Sequence, residues 1–470
     1  MIEPLQQSAV TAVVNNAASA PVVASESVDS TKPFFVGRNA AQVQTLPSLP
    51  EWTFTPEPGL KKTVLHSWHA AAKAKLVPFG GWEMPVEYPG GIFAEHAAVR
   101  TAAGLFDVSH MSALNVSGPN ALAFLEMVVA NAASRLVNHE AQYSYMLRET
   151  GQALDDLYVY RINREKFMVV VNAGNFEQDW SWLTAVNEGR VRIDMSKPGV
   201  KVPKVTLTNL RDSGEESLID LAFQGPLSRT MLCELAANDE ERASLMAGKL
   251  NDIHHIHVNG IPVRAARTGY TGEEIGYELF VHPTKAREMW ELLLEKGKSR
   301  GVRAIGLGAR DSLRTEAGFP LFGHELEGPA LLSLTEADYG FVSRFHRPYY
   351  IGRDAYIARL NPRQKRLLRV MGNGRRMVRP GHTILDSDGK AVGSVTSAAF
   401  VDSQFNYFAI AAVDNAFHPE PGSSVKAYRT TPDKVDKVLD SNKAVDVTVL
   451  TRFPTPQEKS NWQTRYSPAQ

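Results

Sequence analysis

The 470-residue sequence predicts an α+β protein that ends in an all-β domain. Three observations carry that expectation. Helical and strand patterns interleave from Lys61 to about residue 360, so neither an all-helical nor an all-strand body fits. The run QYSYMLRETGQALDDLYVYRINREKFMVVVNAG, Gln142 to Gly174, reads as three consecutive strands with turns at Glu149 to Gly151 and Asn163 to Glu165. After Asn361 helical patterns almost vanish, and six short segments between Gly, Asp and Asn turns predict a small barrel or sandwich. At roughly 100 to 200 residues per domain, three domains is the working number.

The elements follow in order. Residues 1–60 are rich in Ala, Val, Ser, Asn and Pro without periodicity, which predicts a disordered extension. Glu3 stands where a secretory signal would carry a basic residue, Asn15 and Asn16 break the apolar run, and the segment is too acidic for a mitochondrial presequence. The expected compartment is therefore the cytoplasm. Val64 to Val77 has helical spacing up to Pro78, Gly80 and Gly81, and a second helix over Ile92 to Ala103 is terminated by Gly104. LFDVSHMSALNVSG then alternates as a strand, and Gly118-Pro119 turns into the helix ALAFLEMVVANAA. After the three strands comes the helix FEQDWSWLTAV. LIDLAFQGPLSRTMLCELAA repeats the earlier strand, Gly-Pro turn and helix, which is compatible with internal duplication but is also a common way to leave a sheet. Asn259-Gly260 marks a hairpin in IHHIHVNGIPVRAA, YELFVHP is a strand, and TKAREMWELLLEKGKSRG is a helix with Thr284 as its cap. The body thus spans 61–360 as two α+β subdomains, the β-domain 361–455, and a tail 456–470.

Composition excludes several function classes. Lysine plus arginine is 51 and aspartate plus glutamate is 51, so nothing suggests nucleic acid or an anionic membrane as partner. No apolar run reaches the roughly 18 residues of a membrane span. One cysteine, Cys233, rules out an internal disulfide framework, a cysteine zinc site and an iron–sulfur cluster within one chain. It sits on the apolar helix SRTMLCELAA as a small core residue. There is no P-loop, no Rossmann fingerprint and no nucleophile elbow. His255 and His257 share a strand face beside His254, but no nearby cysteine or carboxylate cluster completes a site, so no metal is expected. His110 and His324 read as core or turn histidines.

Two places offer chemistry. Asp155 and Asp156 open the strand DDLYVYR, and adjacent strand residues face opposite sides, so only one can enter a given cavity while the other faces solvent or caps a turn. A carboxylate at such a strand mouth can accept hydrogen bonds and protons from a nitrogen-rich substrate; a solvated edge is the bland alternative. GLGARDSLRTEAG places Arg310 at the opening of a helix, suited either to an anionic group or to a structural ion pair with Glu316. GYTGEEIGYELF adds Tyr270 and Glu278 among glycines.

Taken together, FGGWEMPVEY, AVRTAAGLFDVSHM, ALDDLYVYR, VVVNAGNFEQD, FQGP, ARTGYTGEEIGYELFV, GLGARDSLRTEAGFPLFGHEL and IGRDA resemble the aminomethyltransferases of the glycine cleavage system, the T-protein family, from about Leu65 to Phe453. The resemblance implies a three-domain cloverleaf around a central folate channel, closed on one side by the C-terminal β-barrel. It implies transfer of a methylene unit from the aminomethyl-dihydrolipoyl arm of H-protein to tetrahydrofolate with release of ammonia, without a metal. Its partners would be the lipoyl-bearing H-protein and the small-molecule folate. By the same resemblance Asp156 is the catalytic residue, and Tyr143, Tyr160, Val171, Asn172, Tyr270, Glu278, Arg310 and Arg366 bind the folate. Tyr160 lies an even offset of four from Asp156, so the two share a strand face. Two alternatives stay open: a tetrahydrofolate-dependent demethylase acting on a small methylated donor, and a non-catalytic folate-binding protein.

Overall fold

The computed structural model describes residues 48–56, 59–327, 332–360, 362–435 and 439–466. The three strands expected from Gln142 onward form Glu140–Leu147, Ala153–Arg161 and Lys166–Val171. They lie beside Ser112–Ser117 and Thr206–Asn209 in a five-stranded sheet, antiparallel throughout. Strand alternation then decides what each face meets. Leu157, Val159, Phe167, Val169 and Val171 point at the helices Ala121–Val128 and Phe176–Asn187, around Phe124 and Trp182. The even-numbered residues between them point the other way.

A six-stranded sheet runs in the order Ile253–Val258, Ile261–Ala266, Gly276–Val281, Ile219–Gln224, Gly104–Asp107 and Arg303–Ile305. Its outer face packs on Ser228–Leu235 and Ala286–Gly297 through Leu221, Phe223, Leu279, Met231 and Trp290. The inner faces of the two sheets meet where Ala141, Tyr160, Met168 and Val170 pack against Ile253, Ala266 and Phe280. Asn259 and Gly260 both have positive φ in the expected hairpin turn, 49° and 82°.

The C-terminal segments close into the six-stranded barrel Lys365–Asn373, Asn406–Asp414, Ala391–Phe400, Thr383–Leu385, Ser424–Tyr428 and Ala444–Leu450. It is coupled to the body by the helix Leu307–Glu316, from which Arg314 donates to Ser397 Oγ at 2.6 Å. Leu326, Leu334 and Val342 also pack on Leu367, Ile410 and Ala412 of the barrel.

Five expectations need correction. Of the extension 1–60, residues 1–47 lie outside the described residues, but Trp52 is buried and meets Trp182 edge-on at 5.3 Å. Arg192 N also donates to Pro50 O at 2.8 Å. The packed body therefore starts before Lys61, because two aromatic rings, Trp52 and Phe54, bring apolar surface that average composition conceals. Only His66–Ala71 of the segment Val64 to Val77 is helical. Lys73 has φ 57°, and Lys75–Phe79 pairs with Trp82–Glu87 as a hairpin, so strand pairing overrides helical spacing there. LFDVSHMSALNVSG divides into Gly104–Asp107 and Ser112–Ser117, which enter different sheets. Thr284 does not cap Ala286–Gly297; it lies in a preceding turn, where its own N–H donates to His282. The tail is a helix, Pro456–Tyr466, whose Trp462 and Tyr466, one turn apart, are buried.

Candidate functional site

The inward-facing even residues of the first sheet do not all touch the second: toward one end the sheets part around a cavity of about 630 Å³. Asp156, Tyr143, Tyr160, Asn172, Tyr270, Glu278 and Arg310 border this cavity; Val171 and Arg366 do not. Val171 is one residue out of phase, so its side chain joins the helix-side core while Val170 and Asn172 face the cavity. Arg366 is on the first barrel strand, half-buried, with its guanidinium against His418. Among the described residues no barrel side chain lines the cavity; the barrel supports the segment carrying Phe319, Tyr339 and Phe341 from behind.

Asp156 is held from two sides. Tyr143 Oη donates to its Oδ2 at 2.6 Å, and Asn172 Nδ2 donates to its Oδ1 at 2.9 Å. Burial pushes the carboxyl above its ordinary range, against the pull of those two donors and of the Arg310 charge. Asp155, on the opposite side of the strand, neither faces solvent nor caps a turn. It is fully buried and accepts from Asn172 N at 2.8 Å, Asn172 Nδ2 at 2.8 Å and Asn175 Nδ2 at 2.5 Å.

Across the cavity, Glu278 accepts from Tyr160 Oη at 2.9 Å and from Thr268 Oγ1. Burial raises this carboxyl too, opposed by those hydroxyls and by Arg310. Arg310 forms no ion pair with Glu316, which is taken by Arg100 at 2.8 Å. Among the described residues its guanidinium has no hydrogen-bond acceptor, and it lies 4.8 Å from the centre of the Tyr270 ring. A guanidinium so placed can donate to a carbonyl, carboxylate or phosphate that enters the cavity. Tyr270 itself is fixed by donating to Pro320 O.

Several residues of the site escaped the sequence reading. Tyr158 and Tyr339 flank Tyr143, each with ring centres 5.6 Å away, making a wall of aromatic faces. Tyr158 was available from its even offset to Asp156; Tyr339 lies in an irregular segment and gave no signal. Asp220, an acid in the apolar strand Ile219–Gln224, is buried and among the described residues has no partner for either oxygen, and burial beside Glu278 raises it well above its usual range. Gln224 spans the floor by donating to Thr268 O and Tyr277 O, both at 3.0 Å. A Cβ at Gly269 or Gly276 would stand 2.0 or 2.3 Å from its Oε1, so a larger residue at either position would push the Gln224 carboxamide out of these hydrogen bonds. His110 is a neutral imidazole, pushed down to about 3 by burial first and by Arg310 next. His257 pairs with Glu241, and among the described residues no group of three His, Cys, Asp or Glu is placed to hold a metal ion.

Aromatic faces, two carboxylates, a carboxamide and a free guanidinium suit a planar, nitrogen-rich heterocycle with a donor edge. A buried carboxylate with a raised affinity for protons, beside such a ring, can take or return a proton.

The chain matches the family described as GCVT N-terminal domain over residues 65–346. It is 41% identical over 341 residues to the aminomethyltransferase of Desulfitobacterium hafniense (strain DSM 10664 / DCB-2), covering 73% of this chain and 86% of that protein. To the aminomethyltransferase of Chlorobium luteolum it is 40% identical, covering 72% and 86% respectively. The crystal structure of glycine cleavage system aminomethyltransferase T from Bartonella henselae aligns with a TM-score of 0.68 at 29% identity, covering 84% of this chain and 97% of that one.

Proposed function

This chain belongs to the aminomethyltransferase family that carries the GCVT domain, and from that premise we propose how its cavity works. It is an aminomethyltransferase of the glycine cleavage system. In our reading it moves a methylene unit from the aminomethyl-dihydrolipoyl arm of H-protein to tetrahydrofolate, releases ammonia, and works in the cytoplasm. The observation that carries this reading is the one cavity shared by Asp156, Glu278, Arg310 and the tyrosine wall.

The residues fit the pterin of a folate. Its amino-pyrimidine edge offers adjacent N–H donors, which a carboxylate such as Glu278 accepts in pairs, and its flat ring suits the faces of Tyr143 and Tyr158. Arg310 would donate to a carbonyl or carboxylate of the ligand. The folate supplies the nucleophilic nitrogens that receive the one-carbon unit. Asp156 would orient the reacting end, accept a proton, and hold developing positive charge near its carboxylate. Partial exclusion of water along the tyrosine wall would strengthen that last effect.

The test is an assay with aminomethyl-loaded H-protein and tetrahydrofolate, following ammonia and methylene-tetrahydrofolate. Stoichiometric appearance of both supports the reading. Methyl-tetrahydrofolate formed from a methylated donor, with H-protein inert, would replace it by the demethylase alternative.

Two further results are expected. Tyr143→Phe removes a charge-assisted donor from Asp156, and losing about 1.4 kcal/mol of that interaction corresponds to roughly tenfold in turnover. The acid limb of its pH–rate profile should move to higher pH, since the donor it loses was lowering the Asp156 carboxyl. Arg366→Ala should leave tetrahydrofolate affinity, read by fluorescence titration, within about twofold of the parent, because its guanidinium is engaged with His418 outside the cavity lining. A large loss of affinity there would return Arg366 to the binding site.

A further inference from the structure

Behind the Asp156 wall lies a third aspartate that no step above uses. Asp179 is in the first turn of the helix Phe176–Asn187 and is fully buried. Among the described residues neither Asp179 oxygen has a hydrogen-bond donor. The charged groups that face it are Asp155 and Asp156, both acidic. Asp179 stands one turn beyond Asn175, donating its N–H to Asn175 O at 2.8 Å, and the Asn175 side chain holds Asp155, so the Asp179 carboxyl lies on the face turned to Asp155. Two carboxyl groups so placed, away from water, cannot both be anions.

Counting donors decides which keeps the proton. Asp155 receives three N–H groups, from Asn172 N, Asn172 Nδ2 and Asn175 Nδ2. Asp179 receives none, so the anion belongs on Asp155 and the O–H on Asp179. Burial and the neighbouring Asp155 raise the Asp179 carboxyl well above its usual range, in agreement.

We propose that Asp179 is a neutral carboxylic acid that donates its O–H to Asp155 and serves as a positioning residue for Asp156. The link runs through one side chain. Asn172 Nδ2 spans Asp155 Oδ1 at 2.8 Å and Asp156 Oδ1 at 2.9 Å, and reaches the Asp156 carbonyl at 3.1 Å. Its amide hydrogens are thereby committed to the two aspartates, which leaves only Asn172 Oδ1 to act as an acceptor toward the cavity that Asn172 borders. If Asp155 lost the Asp179 O–H, its anion would be less favoured. A protonated Asp155 would release Asn172, and with it the donor that fixes Asp156. The inference rests on the reading of Asp156 as the reacting carboxylate.

The test compares Asp179→Leu, which has no donor, with Asp179→Asn, which keeps an N–H for Asp155. In the H-protein assay, Asp179→Leu is expected to lower kcat about 10²-fold, the scale of a small misplacement of a reacting group, with little change in KM for tetrahydrofolate. Its acid limb moves to higher pH, and Asp179→Asn recovers most of the turnover. Infrared difference spectra of the parent against Asp179→Asn at neutral pH should show the C=O stretch of a protonated carboxylic acid that the variant lacks. Absence of that band, or equal impairment of both variants with an unmoved pH profile, would overturn the proposal. Wild-type turnover in Asp156→Asn would sink the reading of Asp156 instead, while the infrared band still decides the state of Asp179 even if the leucine variant does not fold.

Discussion

Asp156→Asn is expected to lower turnover between H-protein and tetrahydrofolate by about 10² to 10⁴-fold, the range a positioned acid–base group contributes. Asparagine preserves size and both contacts: its Oδ1 can accept from Asn172, and its amide can donate to Tyr143 once that hydroxyl rotates. Folding should therefore survive, and the loss isolates charge and proton affinity. Tetrahydrofolate binding should fall far less than turnover, because Glu278, Arg310 and the tyrosine wall remain. The pH profile supplies an independent check. A carboxyl raised by burial must be ionised to act, so the parent rate declines as pH falls through that raised value. In Asp156→Asn the residual rate should lack this limb. Equal losses in affinity and turnover would instead assign Asp156 to binding alone.

How much of this site was legible in the sequence follows strand geometry. Asp156, Tyr160 and Asn172 could be placed on one side by alternation, and the same rule would have removed Val171 and added Tyr158. The barrel was visible as six turn-bounded strands, because each turn is local. What stayed hidden depends on contacts distant in sequence: Tyr339 beside Tyr143, Asp220 behind Glu278, and Asp179 behind Asp155. The free guanidinium of Arg310 was hidden for the same reason, since only the fold shows that Glu316 already belongs to another arginine. The helix Pro456–Tyr466 had a usable signal in Trp462 and Tyr466 at a spacing of four, but its polar neighbours masked it.

That last helix leads to the largest expected effect on stability. Glu316 is fully buried and accepts from Arg100 Nε at 2.9 Å, Arg100 Nη2 at 2.8 Å, His96 Nε2 at 3.1 Å and Tyr466 Oη at 2.6 Å. Arg100 also lies 3.8 Å from the centre of the Trp462 ring and donates to Glu273 at 2.6 Å. One carboxylate thus joins the helix Gly91–Thr101, the helix Leu307–Glu316 and the C-terminal helix. Glu316→Ala leaves Arg100 buried with a single remaining carboxylate, Glu273, and should cost about 3 to 5 kcal/mol. Amide hydrogen exchange should report this as faster opening of Pro456–Tyr466, and Trp462 as altered fluorescence. The sign with pH is fixed by the depressed carboxyl, which burial opposes but Arg100 and His96 hold far below its unfolded value. Its stabilisation is complete above that unfolded value, about 4.3, and is lost as pH falls toward the folded one. Glu316→Gln should therefore be less stable than the parent at neutral pH, and the gap should narrow on acidification. A gap that stayed constant from pH 7 to 3 would mean that the carboxylate charge is not what holds the three helices together.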